Sequence, residues 1–397
     1  MRYFNYLSSE EEHSLFYIPP VPFYNTSDKE ILSYSVGAAL YMPATKSNIA
    51  EIIANGKIDG LVSVVLDLED AVGDNQVEIA EKSLLEQIAK LVDFLETGKL
   101  SSEHLPLIFI RIRNVEQMKY LIARLEDHIK LITGFVFPKF IPEYGEAYFR
   151  VLEDHNHNRR SDLPMLYGLP ILESASIIYH ESRTHTLQTI KQILDHYKDM
   201  VLNVRIGATD FSSLFGLRRS PDMTVYDITP IRDCIAGIIN LFGRTDSSYV
   251  LSGPVWEYFS NHERILKPQL RETLFEESLG VDGRKLRKEY IASYMDGLIR
   301  EVIMDKQNGL IGKTVIHPSH IRPVQALYTV THEEYMDATS IVSNNNGTYG
   351  VVKSEYSNKM NEIKPHLNWA KRILLRSQIY GVLHERQHFI SLLPKHE

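Results

Sequence analysis

Eight short apolar runs, separated by helical stretches, constrain this chain more than any other feature. They occupy residues 38–42, 61–66, 107–112, 134–137, 165–172, 202–206, 249–251 and 314–316. Each is read as apolar on successive residues, as a parallel strand covered on both faces must be, whereas a half-solvated strand alternates. The intervening segments carry the other period. Residues 78–97 place Ile79, Leu84, Leu85, Ile88, Leu91 and Leu95 on one broad face. Strand alternating with helix predicts a parallel α/β architecture, and a count of eight predicts a TIM (β/α)8 barrel. A doubly wound open sheet is the alternative, but no Gly-rich dinucleotide loop follows the first run.

The alternation spans residues 37–330, the expected barrel domain, with a long, charged, helical excursion over 254–310 before the last strand. Residues 1–36 read as an irregular N-terminal lead-in rich in aromatics and proline. Residues 331–397 read as a helical tail or lid, broken by the turn-rich Ser343-Asn344-Asn345-Asn346-Gly347. His155-Asn156-His157, followed by Asn158, Arg159 and Arg160, reads as a solvated loop. Arg284, Lys285, Arg287 and Lys288 read as a solvated helix face.

Composition narrows the partners. The 397 residues carry 43 Lys+Arg against 51 Asp+Glu, a net charge of −8. With no basic block there is no electrostatic footprint for nucleic acid. No run approaches the ~20 apolar residues of a membrane span, and Glu10, Glu11 and Glu12 interrupt what a signal peptide needs. The single Cys234 leaves no disulfide within the chain and no thiolate zinc cluster. The expectation is a soluble cytoplasmic protein whose anionic ligands require a local cationic site.

A barrel carries its chemistry where strands run into loops at their carboxyl ends. There the sequence is chemically dense. The second run ends in Asp67-Leu68-Glu69-Asp70, the third in Arg111-Ile112-Arg113-Asn114, and the fourth in Pro138-Lys139. Glu173 follows the fifth, Gly207-Ala208-Thr209-Asp210 the sixth, Ser252-Gly253-Pro254 the seventh and His317-Pro318 the eighth. Some of these residues admit a structural reading. Asp70 is placed to cap a helix, Arg111 and Arg113 to pair with the carboxylates, and Lys139 to lie at the surface. Glu173, after Leu169-Pro170-Ile171-Leu172, is harder to explain, because a buried carboxylate is costly unless paired or metal-bound. Glu173 and Asp210 offer oxygen ligands only. Few carboxylates completed by water and substrate oxygens describe Mg²⁺ better than Ca²⁺.

In this order and spacing the residues resemble a known family. Tyr41-Met42-Pro43-Ala44, Val65-Leu66-Asp67-Leu68-Glu69-Asp70-Ala71-Val72, Arg111, Pro138-Lys139, Glu173-Ser174-Ala175, Gly207-Ala208-Thr209-Asp210-Phe211 and Gly312-Lys313-Thr314-Val315-Ile316-His317-Pro318 are similar to the motifs of the citrate lyase β-subunit-like (HpcH/HpaI aldolase) superfamily. The likeness covers roughly residues 37–342. The tail, from Gly347-Thr348-Tyr349-Gly350 through Pro365-His366 and Trp369-Ala370, resembles the C–C bond lyase branch associated with tellurium-resistance operons. The resemblance implies a Mg²⁺-dependent TIM-barrel enzyme that makes or breaks a carbon–carbon bond in a 3-hydroxy acid, or its acyl-CoA thioester, through a metal-stabilised enolate. It implies Glu173 and Asp210 as metal ligands. Arg111, with Arg113, Lys139 and Pro43, falls on the substrate side, and Glu69, Asp70 and Glu362 are the acid–base candidates. It also implies a homo-oligomer, a trimer or hexamer.

Two departures stand out. Gly37 and Ala38 lie where the superfamily carries an arginine and a serine, and Arg113 stands where it carries asparagine. Both favour the alternative of a keto-acid aldolase that works without CoA. A third reading, from another class, is a non-catalytic ligand-binding barrel serving as a subunit of a stress-response complex.

Overall fold

In the computed structural model, which describes residues 1–246, 249–259, 273–292 and 294–393, all eight apolar runs are strands of one parallel sheet. After a short first strand, β1 (Phe16–Ile18), they follow as β2 (Ala38–Pro43), β3 (Ser63–Asp67), β4 (Leu107–Arg111) and β5 (Ile132–Phe137). Then come β6 (Tyr167–Leu172), β7 (Val204–Ile206), β8 (Leu251–Ser252) and β9 (Lys313–Val315). The sheet order is β8-β7-β6-β5-β4-β3-β2-β9, so each strand lies beside its sequence neighbour and β9 returns to β2. Between β8 and β9 the Ile311 N–H donates to the Leu251 carbonyl at 2.7 Å, and Gly253 bridges Lys313 in parallel. Those links close the ring into a TIM-type barrel and exclude the open sheet.

The helices cover the outer face with one stripe each. In Val77–Glu96, Ala80, Leu84, Ile88, Leu91 and Val92 are buried, a spacing of three and four residues. The expected stripe is rotated slightly, for Ile79 is exposed. Gln87 in the same helix is buried and bridges two backbone groups, accepting from the Ala50 N–H and donating to the Ser47 carbonyl, each at 2.9 Å. His155-Asn156-His157 is not a loop. It closes the helix Pro142–Asn158, and the buried Asn156 amide exchanges two hydrogen bonds of 2.9 Å with the backbone of Leu166. A polar stretch was read as solvated, but its central amide satisfies the backbone where the chain enters β6.

The chain divides into two compact units. One holds Met1, 23–258 and 297–321, and with them the whole barrel. The other holds 2–22, 259–296 and 322–397. In the second unit the lead-in is more regular than expected. Ser8 and Glu11 form a reciprocal capping box that starts the helix Ser9–Leu15, and the acidic run Glu10-Glu11-Glu12 fills its first turn. The helix delivers β1, which pairs antiparallel with β12 (Val382–Leu383).

The tail is not purely helical either. Between helices His332–Ser343 and Ile363–Tyr380 it folds a hairpin of β10 (Val351–Lys353) and β11 (Met360–Glu362). Val330, Ala338, Ile341, Ile363, Ala370, Ile373 and Val382 form a common apolar core there. The excursion gives helices Leu274–Ala292 and Met295–Gln307, while 260–272 and 293 lie outside the described residues. Among the described residues no helix is long and apolar enough to cross a membrane.

Candidate active site

Asp67 and Arg111 close β3 and β4 in register with one another. The Arg111 guanidinium grips Asp67 with two prongs, Nε to Oδ1 at 2.7 Å and Nη2 to Oδ2 at 2.6 Å. The same carboxylate accepts the backbone N–H groups of Glu69 (3.0 Å) and Ala71 (3.2 Å), which folds the β3 exit loop back over the rim. Glu69 and Asp70 are thereby brought to the same guanidinium, with Nη1 at 2.9 Å from Glu69 Oε2 and 3.0 Å from Asp70 Oδ2. Burial alone would lower the Arg111 pKa, but the hydrogen bond and charge of Asp67 raise it further above its ordinary value. Sequence reasoning placed Asp67 in the motif without a role. Its role is to hold both the arginine and the loop.

Arg113 serves that loop as well. Its Nε donates to the Leu68 carbonyl at 2.7 Å and its Nη2 to the Glu69 carbonyl at 3.3 Å, while Nη1 pairs with Asp74 at 2.6 Å. Pro43 ends β2 opposite Asp67, and the next N–H, of Ala44, donates to the Asp67 carbonyl at 2.9 Å.

Glu173 lies just beyond β6 and is 4% exposed. Its Oε1 accepts the backbone N–H of Lys139 at 2.7 Å. Burial, and then the charge of Asp210, pushes its pKa up to about 8. Asp210, in the first turn of the short helix Ala208–Leu214, is also raised, chiefly by burial. Lys139 follows β5 in the left-handed region at φ 47°, a conformation that costs a non-glycine residue about 1–3 kcal/mol. The contacts that hold it there converge on the site. Its Nζ binds Glu69 Oε1 and stands 3.5 Å from Asp70 Oδ1 and 4.0 Å from Asp210 Oδ1. Burial would lower the lysine's pKa, and the hydrogen bond and charge of Glu69 outweigh it, so Lys139 stays charged. Glu69 is raised by burial. Asp70 is lowered, because its bond to Glu69 and the charges of Arg111 and Lys139 outweigh its burial.

The Glu173–Asp210 pair fits a hard divalent cation on its chemistry. Both donors are carboxylates, and burial, near complete for Glu173 and partial for Asp210, makes each ionise reluctantly, a cost that a bound cation would offset. Among the described residues no group of three or more His, Cys, Asp or Glu is arranged to hold an ion. An ion here would rest on two protein carboxylates and complete its shell with water and substrate oxygens.

Gly207 makes room for this pair. A Cβ there would come within 2.1 Å of Glu173 Oε2 and 2.5 Å of Glu173 Cβ. The buried acid has nowhere to retreat. Gly207→Ala is therefore expected to cost about 1–3 kcal/mol of stability and to weaken Mg²⁺ binding at least about tenfold, a change of ~1.4 kcal/mol. Thermal melts and calorimetric titration read the two effects, and unchanged Mg²⁺ affinity would show that the Gly207–Glu173 contact does not matter.

The structure thus gathers Pro43, Glu69, Asp70, Arg111, Arg113, Lys139, Glu173 and Asp210 in the barrel unit, at or just beyond the strands' carboxyl ends. Glu362 belongs to the other unit, exposed at the end of β11. His317, after β9, accepts the Ser319 N–H at its Nδ1 at 3.3 Å.

Two further clusters were not anticipated. Tyr41 presents its ring to two guanidiniums, with Arg111 Cζ at 5.1 Å and Arg205 Cζ at 5.8 Å from its centroid. Beneath the rim, Lys313 Nζ binds Glu301 Oε1 and Asp305 Oδ2, each at 2.8 Å. Glu301 also pairs with Arg219 and accepts the Val225 N–H at 2.9 Å, and Tyr226 donates to Asp305 Oδ1 at 2.7 Å. Lys313, Glu301 and Asp305 are all 0% exposed. Glu301 and Asp305, four apart on the helix Met295–Gln307, were the available signal.

Comparison with known proteins gives the fold and the family. No curated protein matches the chain in sequence. A crystal structure of a citrate lyase from Burkholderia xenovorans LB400 superposes with a TM-score of 0.54 at 14% identity, over 90% of this chain and 96% of that one, and shows the shared fold. The CitE protein of Mycobacterium tuberculosis, solved with magnesium, acetoacetate and coenzyme A, gives a TM-score of 0.48 at 17% identity, over 86% and 97%. The citrate lyase β subunit of the same organism, with oxaloacetate and magnesium, gives 0.43 at 18%, over 75% and 98%. The model of one family matches residues 30–382, a longer span than the motifs alone covered. The chain belongs to the C–C bond lyases of the TIM-barrel fold.

Proposed function

We propose that this lyase is Mg²⁺-dependent and cleaves or forms the carbon–carbon bond of a small 3-hydroxy acid, or of its acyl-CoA thioester, by way of an enolate. The observation that carries the reading is the buried Glu173 carboxyl and the part-buried Asp210, set beside Lys139, Glu69 and Arg111 at one rim. Glu173 and Asp210 would hold the Mg²⁺, which would supply positive charge for enolate stabilisation, worth several kcal/mol in a dry site.

The chain's own residues do the rest. Lys139 fixes Glu173 through its backbone N–H and places its ammonium near Asp210. Arg111 adds a permanent positive charge and keeps Glu69 and Asp70 in place. In the cleavage direction a carboxylate must take the hydroxyl proton. Glu69 is the better suited of the two rim acids, because burial raises its affinity for a proton while Asp70 is lowered. Turnover of a panel of 3-hydroxyacyl-CoA thioesters and free hydroxy or keto acids, with Mg²⁺ and with EDTA, tests the reading. Activity that survives full chelation would sink it.

A CoA-independent keto-acid aldolase is a second reading, favoured by one observation. Gly37, where relatives carry an arginine, has φ 51° and gives its carbonyl to the Lys313 N–H at 2.8 Å in the β2–β9 seam. The same panel separates the two readings by whether free acids or thioesters turn over.

A further inference from the structure

Asp210 is carried by a segment that cannot hold itself. The helix Ala208–Leu214 has seven residues and begins at Gly207 with no side chain capping it, and a helix this short is marginal on its own. Only Ala208 and Phe211 of it are buried. The chain then turns through Gly216 at φ 61°, and Leu214, Phe215 and Leu217 are left exposed. Contacts from outside the segment have to fix where Asp210 points.

One carboxylate grips both of its ends. Glu257 follows β8. Its Oε1 accepts the Thr209 hydroxyl at 2.8 Å, and its Oε2 accepts Arg219 Nε at 3.0 Å. Thr209 is the residue before Asp210, and Arg219 lies beyond the turn. A single side chain therefore clasps the stretch 209–219 across its base.

The two grips are unequal. Arg219 is anchored from beneath. Its Nη1 pairs with the fully buried Glu301, its Nη2 donates to the Val255 carbonyl, and its Cζ lies 4.8 Å from the Trp256 ring centroid. Glu301 is bonded in turn to Lys313 on β9, so the network that holds Glu257 is rooted in the barrel wall. Thr209, by contrast, is exposed, and its bond contributes little to the stability of the whole fold. What that bond does fix is the backbone next to a candidate metal ligand. Outer-shell partners of this kind orient the ligand, and their loss shows in metal affinity.

We propose that Glu257, anchored by Arg219, is the positioning residue for Asp210. Through Thr209 it fixes the start of the helix Ala208–Leu214, and with it the carboxylate that stands 4.0 Å from Lys139 Nζ. The assignment rests on the reading of Asp210 as a Mg²⁺ ligand, and one arm of the experiment does without the metal.

Mg²⁺ is titrated calorimetrically into the full chain as wild type, Thr209→Val, Thr209→Ser, Glu257→Ala and the double variant Thr209→Val/Glu257→Ala. Thr209→Val keeps the branched shape and loses only the hydroxyl, and it is expected to bind Mg²⁺ about tenfold more weakly. Glu257→Ala is expected to lose about 10- to 100-fold. Thr209→Ser keeps the hydroxyl and binds as wild type does. In the double variant the two losses do not add, because both remove the same bond. Hydrogen exchange in EDTA is the arm without metal. There Thr209→Val is expected to exchange faster than wild type over residues 208–217 and to match it elsewhere, with an unchanged Tm. Equal Mg²⁺ affinity in wild type, Thr209→Val and Glu257→Ala overturns the proposal and leaves the metal reading intact. Additive losses in the double variant, or a loss in Thr209→Ser as large as in Thr209→Val, overturn it too. So does exchange over 208–217 that is unchanged in Thr209→Val, or that rises equally throughout the barrel, the mark of general destabilisation. If wild type binds no Mg²⁺, the metal reading falls, and faster exchange confined to 208–217 in Thr209→Val but absent in Thr209→Ser still supports the clasp.

Discussion

Glu173→Gln is expected to abolish measurable Mg²⁺ binding and to lower turnover by about 10³-fold, as the loss of several kcal/mol of metal-derived stabilisation requires. The amide keeps the volume of the side chain and an oxygen to accept the Lys139 N–H, so the fold should survive. What it loses is the negative charge. The same substitution has a pH signature. In metal-free wild type, burial and then the charge of Asp210 push the Glu173 carboxyl up to about 8 from its ordinary value of 4.5. Between those values the folded state binds more protons than the unfolded one, so this group's stabilisation is present at low pH and is lost as pH rises toward 8. In EDTA, wild type should lose stability across that window and Glu173→Gln should lose less. Mg²⁺ must expel the proton, so its affinity for wild type should rise from pH 6 to pH 8. Asp210→Asn tests the second carboxylate in the same titration, and unchanged Mg²⁺ affinity in both variants would sink the metal assignment.

The largest stability effect is expected below the rim. Lys313→Met removes the cation from between Glu301 and Asp305, leaving two acids in a space where all three side chains are shut off from water. Breaking a buried pair on one side costs about 3–5 kcal/mol, a large part of a stability of about 5–15 kcal/mol. Asp305 suffers most. Burial already raises its pKa with Lys313 opposing, and without the lysine only Tyr226, among the described residues, remains to hold its carboxylate. Glu301 keeps Arg219 and the Val225 N–H. The double variant Lys313→Met/Asp305→Leu should therefore recover part of the loss. Urea unfolding reads this directly, and a Lys313→Met midpoint equal to wild type would mean the network contributes nothing net.

The barrel was legible because strands buried on both faces leave continuous apolar runs, and every one of the eight became a strand with its ends shifted by a few residues. The rim was legible because barrels put polar residues after those runs. What those residues bond to was not legible. Arg111 and Arg113 look alike in sequence, yet one is fixed by Asp67 and the other by the loop carbonyls of Leu68 and Glu69, contacts set by a loop path that no periodicity encodes. Arg205 was hidden inside a run counted as apolar. The signal was there, for Asn203 and Arg205 two apart on a covered strand must send two polar side chains to one face. The lead-in likewise announced a helix through Ser8 and Glu11. The hairpin Val351–Lys353 with Met360–Glu362 gave little warning, because three-residue strands with mixed polarity carry almost no period.

The pairing of β1 with β12 has a consequence for how the protein is made. Residues 16–18 leave the ribosome long before their ladder partners, 382–383. At about 5–20 residues per second, the interval is roughly 20 to 70 seconds. Barrel strands β2 to β8 find each neighbour soon after synthesis, since sheet order follows chain order. The second unit has no such option. Phe16, Tyr17 and Ile18 must wait as an open edge until residues 382–383 have emerged. A translation stall before residue 382 leaves that edge exposed on an otherwise folding chain, open to chaperones and proteases throughout the interval.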